Sequence, residues 1–278
     1  MRIDGRTELI AHLGYPAHSF KAPLIYNPYF AAAGINALVV PMACRAESFA
    51  RVLKDFFELE NARGALVTMP HKVSVVALLD EASTAVQVSG ACNAVKRLAD
   101  GRLAGDQFDG EGFVRGVQSK GFVVAGARCL VVGCGGVGRP IAASLAQAGA
   151  KEIALFDVSD AATADLASRL RTHFRGLNVT IGRTDPAGFD LVANATPLGM
   201  NEGDALPVDP ARLDARTFAG DVVMRQPVTP FLAAAKEHGC RIQVGTDMLF
   251  EMIPPYLEFF GLPVATPERL RELAQLEA

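Results

Sequence analysis

The stretch Arg128-Cys-Leu-Val-Val-Gly-Cys-Gly-Gly-Val-Gly-Arg-Pro-Ile-Ala142 decides the fold. An apolar run, Leu130 to Val132, feeds a turn with Gly133, Gly135 and Gly138 at G-x-G-x-x-G spacing, and a small-residue helix follows. Strand, turn and helix in that order are the setting that a dinucleotide site requires. Gly133 permits the tight turn, Gly135 lets backbone approach a pyrophosphate, and Gly138 lets the helix lie close on the strand. The helix's unbonded N–H groups then face the anion. Pro140 suits the first turn, where its missing N–H costs little.

Working outward, the second strand of this unit ends Ala154-Leu155-Phe156-Asp157. An acidic residue about 20 positions beyond the glycines accepts hydrogen bonds from the adenosine ribose hydroxyls. A 2′-phosphate there would meet the carboxylate's charge. The next residues, Val158-Ser159-Asp160, supply no basic clamp, so the expected cofactor is NAD. Strand and helix alternate on both sides of the glycine turn, predicting an α/β protein of two lobes with a largely parallel, doubly wound sheet. The pattern reads Pro23–Ala33 as a helix and Ala37–Val40 as a strand stopped by Pro41. It reads a helix from the Met69–Lys72 turn through Leu79, a hairpin around Asp100-Gly101, and a helix at 110–120. Downstream it reads strands at 153–156, 178–181, 191–194, 217–223 and 241–244, and helices at 161–174 and 229–238. From Gly245 the chain reads as helical, broken or kinked at Pro254-Pro255.

Composition sets the class. The chain has 278 residues, half of them hydrophobic, with 27 basic against 30 acidic residues and a net charge of −3. That balance argues against a nucleic-acid partner. No apolar run approaches a membrane span and the N-terminus lacks a signal core, so a cytoplasmic protein without a membrane partner is expected. Five scattered cysteines show no metal-type spacing and read as reduced thiols, with no metal expected. Nothing in the pattern distinguishes a monomer from a homodimer.

Three polar clusters precede the nucleotide unit: Val67-Thr-Met-Pro-His-Lys72, Gly90-Ala-Cys-Asn93-Ala-Val95 and Gly105-Asp-Gln-Phe-Asp109-Gly110. Singly, Lys72 reads as a solvated lysine, Asn93 as a turn residue and Asp109 as a helix cap. Beside a hydride carrier, a lysine near a carboxylate can pass a proton to or from an alcohol oxygen.

On these motifs, with Asn194-Ala-Thr-Pro-Leu-Gly-Met200, Asp221, Thr229-Pro-Phe-Leu232 and Gly245-Thr-Asp-Met-Leu249, the chain resembles the shikimate and quinate dehydrogenases over nearly its whole length. The resemblance implies a substrate-binding domain, 1–115 plus 245–278, and a dinucleotide-binding domain, 116–244, with the last helices packing back on the first lobe. It implies Lys72 and Asp109 as the catalytic acid/base pair, and Thr68 and Asn93 as hydrogen-bond partners of ring hydroxyls. Cofactor contacts are implied for Gly133, Gly135, Gly136, Val137, Gly138, Asp157, Asn194, Thr196, Pro197, Gly245 and Met248.

The substrate loop departs from the family pattern. Where the family carries Ser-x-Ser-Pro for the substrate carboxylate, ungapped counting from Pro16 to Pro23 places Phe20 and Ala22; a local shift would let Ser19 stand in for the first serine. A family Tyr is Met224 here, a family Gln is Met252, and Gln107-Phe108 replaces Asn-Thr before the catalytic Asp. Hydrogen bonds to a charged group are worth roughly 1.5–3 kcal/mol each, so losing two or three weakens shikimate recognition about 10²–10⁵-fold. Arg225 could supply a replacement cation. The expectation is therefore an NAD-dependent oxidoreductase acting on a cyclic polyol or its ketone, weak on shikimate itself. The alternatives are a genuine shikimate dehydrogenase reducing 3-dehydroshikimate in aromatic amino acid biosynthesis, or a non-catalytic NAD- or metabolite-sensing module.

Overall fold

A computed structural model of the chain describes residues 3 to 276. Its elements are β1 (Glu8–Gly14), α1 (Pro23–Ala33), β2 (Ala37–Ala43), α2 (Ala46–Phe57), β3 (Ala62–Val67), a 3₁₀ turn (Ser74–Leu78), β4 (Glu81–Ala82), α3 (Thr84–Ser89), β5 (Ala94–Arg97), β6 (Leu103–Asp106) and α4 (Asp109–Ser119). There follow β7 (Arg128–Val132), α5 (Gly138–Gln147), β8 (Glu152–Phe156), α6 (Asp160–His173), β9 (Asn178–Ile181), β10 (Leu191–Asn194), a 3₁₀ turn (Pro210–Arg212), β11 (Phe218–Asp221), α7 (Pro230–Glu237), β12 (Arg241–Gln243), α8 (Gly245–Phe259) and α9 (Pro267–Leu273). The chain folds as two compact units: Met1–Val86, Ala91–Phe108 and Ile253–Ala278 form one, Gln87–Gly90 and Asp109–Met252 the other.

The first unit holds a mixed six-stranded sheet, order β2-β1-β3-β5-β6-β4. Strands β1, β2 and β3 run parallel, while β5 pairs antiparallel with β3 and with β6 around the expected Asp100-Gly101 turn. Strand β2 continues through Pro41, paired with His12, to Ala43. Its edge position explains this, because a proline there removes no ladder donor that the sheet needs. The helix expected from the Met69–Lys72 turn to Leu79 is shorter, a 3₁₀ turn over Ser74–Leu78. Ala11 and Leu13 of β1 pack with Phe49, Leu53, Phe56 and Phe57 of α2, a single stripe of that helix. On α1, Ile25, Tyr26, Tyr29 and Phe30 are buried. The C-terminal segment returns to this helix, with Tyr29 Oη donating to Pro263 O at 2.6 Å and Gln275 N to Leu24 O at 2.8 Å.

The second unit holds a six-stranded, all-parallel sheet, order β12-β11-β10-β7-β8-β9. Counted from β7, this is the doubly wound order 3-2-1-4-5-6 of dinucleotide-binding domains. Strand β7 shows why: Cys129 and Val131 feed one core with Ile141 and Leu145, while Leu130 and Val132 feed the other with Phe231 and Leu232. A strand buried on both faces must be apolar throughout. Helix α4 and the first half of α8 belong to this unit, whereas the sequence reading grouped residues up to 115 and from 245 with the other lobe. The cause is close packing at glycines. A Cβ on Gly110 would strike the Pro140 carbonyl, and one on Gly112 would lie 2.7 Å from Met252 Cβ. Helix α8 continues through Pro254 and Pro255. No helix of the described residues is long and apolar enough to cross a membrane.

Candidate active site

In the first unit, the turn after β3 is tied to the ends of the neighbouring strands. Thr68 N donates to Leu13 O at 2.8 Å, Tyr15 N to Met69 O at 2.9 Å, and Cys92 N to Lys72 O at 2.7 Å. His71 anchors the turn from below. It is buried, stacked on Phe49 at 4.0 Å, and its Nε2 lies 2.7 Å from Cys44 O. Lys72 is thereby held half-buried at the carboxyl end of the parallel strands, where open α/β sheets place their ligands. Asn93 is 0% exposed; its Oδ1 accepts Phe108 N at 3.1 Å, and its buried Nδ2 has no partner among the described residues. A buried donor left unpaired costs about 1–3 kcal/mol, so this group suits an oxygen supplied by a ligand.

The substrate loop lies in the same unit. Phe20 is folded inward, its ring stacked on His12 at 4.1 Å and its Cζ 2.8 Å from the position a Cβ on Gly14 would take. Ala22 is buried at the start of α1, which has no side-chain cap. Ser19 is exposed. His12 escaped the sequence reading, hidden inside an apolar strand; a lone histidine between Ala11 and Leu13 was the available signal. It is 9% exposed, its Nδ1 has no partner among the described residues, and burial, followed by the positive charge of Lys72, pushes its pKa down to about 3.

In the second unit, Gly133 has φ +103°, and a Cβ there would lie 2.7 Å from the Ala195 carbonyl. A Cβ on Gly138 would run into Gly133 O, whereas one on Gly135 meets no atom within 4 Å. Gly135, Gly136 and Val137 reach the surface at the N-terminus of α5, which no side chain caps. The turn is therefore closed on its protein side and open on its outer side, the cradle that a pyrophosphate needs. Asp157 follows β8, with Oδ2 accepting Cys134 N at 2.6 Å and Oδ1 accepting Ser159 N at 2.9 Å. Beside it Val158 is 97% exposed. Arg139 is turned away, with Nε donating to Cys134 O at 3.0 Å and Nη1 paired to Asp165 at 2.5 Å.

The loop after β10 is shaped from within. Asn194 is buried; its Oδ1 accepts Thr196 Oγ1 at 2.6 Å, and its Nδ2 donates to Leu198 O and to Asp221 Oδ1, each at 3.1 Å. Asp221 also accepts Val223 N at 2.9 Å and Thr229 Oγ1 at 2.6 Å. Burial raises the Asp221 pKa, and these donors oppose the rise. Both the Asn194 side chain and the Thr196 hydroxyl are thus spent on the loop, which leaves its exposed face at Pro197. Met224 lies over Gly245, where a Cβ would be 2.8 Å from its Cγ, and Met248 is buried. Arg225 is exposed and donates to Asn201 Oδ1 at 3.1 Å. Asp109 is 2% exposed in the first turn of α4. Lys72, Thr68, Asn93, Ser19, Phe20 and Ala22 thus share the first unit. The glycine turn, Asp157, Asn194, Thr196, Pro197, Asp109, Met224, Gly245, Met248 and Met252 share the second.

Comparison with known proteins gives the family. The shikimate dehydrogenase substrate binding domain family matches residues 13–95. A shikimate dehydrogenase (NADP(+)) from Geobacter metallireducens is 34% identical over 257 residues, 90% of this chain and 89% of its own. The crystal structure of shikimate 5-dehydrogenase from Listeria monocytogenes in complex with shikimate and NAD superposes with a TM-score of 0.89 at 26% identity, covering 98% of both chains. That of 5-ketofructose reductase from Gluconobacter sp. strain CHM43, in its ligand-free form, superposes at 0.86 with 25% identity, covering 97% of this chain and 98% of its own. With a relative this similar along nine-tenths of its length, the chain belongs to the shikimate dehydrogenase family of oxidoreductases.

Proposed function

We propose that this protein is an NAD-dependent oxidoreductase interconverting an alcohol and a ketone on a carboxylate-free cyclic polyol. The observation that carries the reading is the Phe20 ring packed on His12, with a buried Ala22 two residues on, at the two positions where the family pattern places serine hydroxyls. A carboxylate brought there would lose its hydration and meet apolar surface. The Gluconobacter relative, named for a neutral keto sugar, supports a substrate of that class within this fold. The names of the curated relatives favour a second reading, ordinary shikimate oxidation with NADP.

The bound nicotinamide would supply the hydride acceptor or donor. Lys72 moves the proton at the reacting oxygen and Asn93 Nδ2 donates to a substrate hydroxyl, while Asp109 is the carboxylate that the family pattern implies for the acid/base pair. Gly135 to Gly138 hold the pyrophosphate. Asp157 holds the ribose hydroxyls, and its charge disfavours a 2′-phosphate because Arg139, committed to Asp165, cannot offset it. The glycine roles are separable. Gly135→Ala should leave the melting temperature unchanged and raise KM for NAD about tenfold, a loss of ~1.4 kcal/mol of binding. Gly138→Ala should cost about 1–3 kcal/mol of stability by forcing a methyl into backbone. Thermal unfolding and initial rates on the two variants check both.

The function itself is tested by initial rates with NAD and NADP against shikimate, quinate, carboxylate-free cyclic polyols and 5-ketofructose. NAD-selective turnover of a neutral compound, at a kcat/KM at least tenfold above shikimate, is the expected result. Faster turnover of shikimate or quinate would establish the second reading instead.

A further inference from the structure

We propose that His12 is a specificity-determining residue of this site, whose imidazole edge hydrogen-bonds an uncharged oxygen of the substrate. The inference rests on the function proposed above and names the group that replaces the missing hydroxyls.

His12 stands two residues before the end of β1, in register with Pro41 of β2 and Leu66 of β3, at the carboxyl ends of three parallel strands. The same face of β1 carries Gly14, where an added Cβ would touch Thr68 Cγ2, so His12 and the Thr68–Lys72 turn border one surface. Phe20 covers one face of the imidazole. An imidazole makes its hydrogen bonds at the ring edge, and Nδ1 on that edge is buried without a partner among the described residues. A polar atom in that state costs stability unless something pairs with it, and an aliphatic residue would fill the strand position at no such cost. Burial and the nearby Lys72 charge hold the ring neutral at working pH. A neutral imidazole offers one donor and one acceptor and no charge. It therefore suits a hydroxyl or ketone oxygen and gives little to a carboxylate, which wants charge-assisted donors. Phe20 and His12 thus act as a pair: the phenyl ring excludes the acid group, and the imidazole reads the neutral one.

The test uses the full-length protein and the carboxylate-free compound of the panel above with the highest wild-type kcat/KM. His12→Leu should raise KM for that compound about tenfold, a larger change than in its kcat, with KM for NAD within twofold of wild type. His12→Asn, whose amide reaches the Nδ1 position, should stay within threefold of wild type. His12→Gln, which reaches the Nε2 position, should resemble the leucine variant. The Asn–Gln contrast decides the matter even where the leucine variant fails to fold. Equal KM values across the three variants, or a fall in melting temperature with no change in KM, would overturn the assignment and leave the proposed function standing. Wild-type preference for shikimate or quinate, or turnover of no carboxylate-free compound, would overturn the proposed function and this inference with it.

Discussion

Lys72→Ala should lower kcat about 10²–10⁴-fold while the protein still folds and binds NAD, because a positioned acid/base group contributes that much. The prediction follows from how the turn is built. Its shape is held by backbone bonds at Thr68, Tyr15 and Cys92 and by the buried His71, none of which needs the lysine side chain. Lys72 is half-buried, so its removal opens no core cavity. The loss should therefore fall on kcat, with KM for NAD unaltered, since the glycine turn belongs to the other unit. Lys72→Arg separates charge from proton transfer. It keeps a cation beside His12 but cannot release a proton at working pH, so its kcat should stay within tenfold of the alanine variant. If arginine recovered most of the rate, Lys72 would be acting through its charge. If alanine kept more than a tenth of it, the proton would be carried elsewhere. Rates in both directions, with isothermal titration of NAD, distinguish these outcomes.

How much of this was legible in the sequence depended on whether the signal was local. Strand β7, the glycine turn and α5 emerge from one fifteen-residue stretch, because tight turn, anion site and helix packing each demand glycine at a fixed offset. Asp157 follows by counting. Helix α1 and strands β9 and β10 fall at the residues read for them. The shortest elements did not: β4 has two residues and α3 six, too few for alternation or helical spacing to repeat. Pro41 misled because a local rule about proline ignores where its strand lies in the sheet. The mixed order of the first sheet is a long-range outcome that no window reveals. At the candidate site, the polar motifs around Lys72 and Asn93 stood out as chemistry among apolar neighbours. His12 did not, since its meaning depends on Phe20 eight residues later folding back upon it. What the sequence does not show of Asn194 is that its side chain holds its own loop, through bonds to Thr196 and to Asp221 on the next strand.

Restoring hydroxyls at the substrate loop, by Phe20→Ser with Ala22→Ser, should raise kcat/KM for shikimate about 10²-fold or more and lower it for the neutral substrate. Two hydrogen bonds to a carboxylate are worth roughly 1.5–3 kcal/mol each, and tenfold corresponds to ~1.4 kcal/mol, so the upper limit is near 10⁴. Several costs pull the other way. Phe20 is half-buried on His12, and its loss gives up the stacking and leaves space beside Gly14, a cavity cost of the kind that reaches about 3–5 kcal/mol only for fully buried rings. Ala22, by contrast, is a small residue at the uncapped start of α1, where a serine adds a hydroxyl at the positive end of the helix without displacing a packed side chain. The single variants should therefore differ. Ala22→Ser alone should fold as wild type and gain little, because Phe20 still blocks the acid group. Phe20→Ser alone should gain modestly and lose stability. The double variant should exceed the product of the two, since both hydroxyls would bind one carboxylate and residues sharing a ligand couple by about 0.5–3 kcal/mol. Strict additivity would mean the two positions do not meet the same group. No gain in the double variant would place the acid-excluding feature elsewhere, with Met224 and Met252 the next positions to exchange.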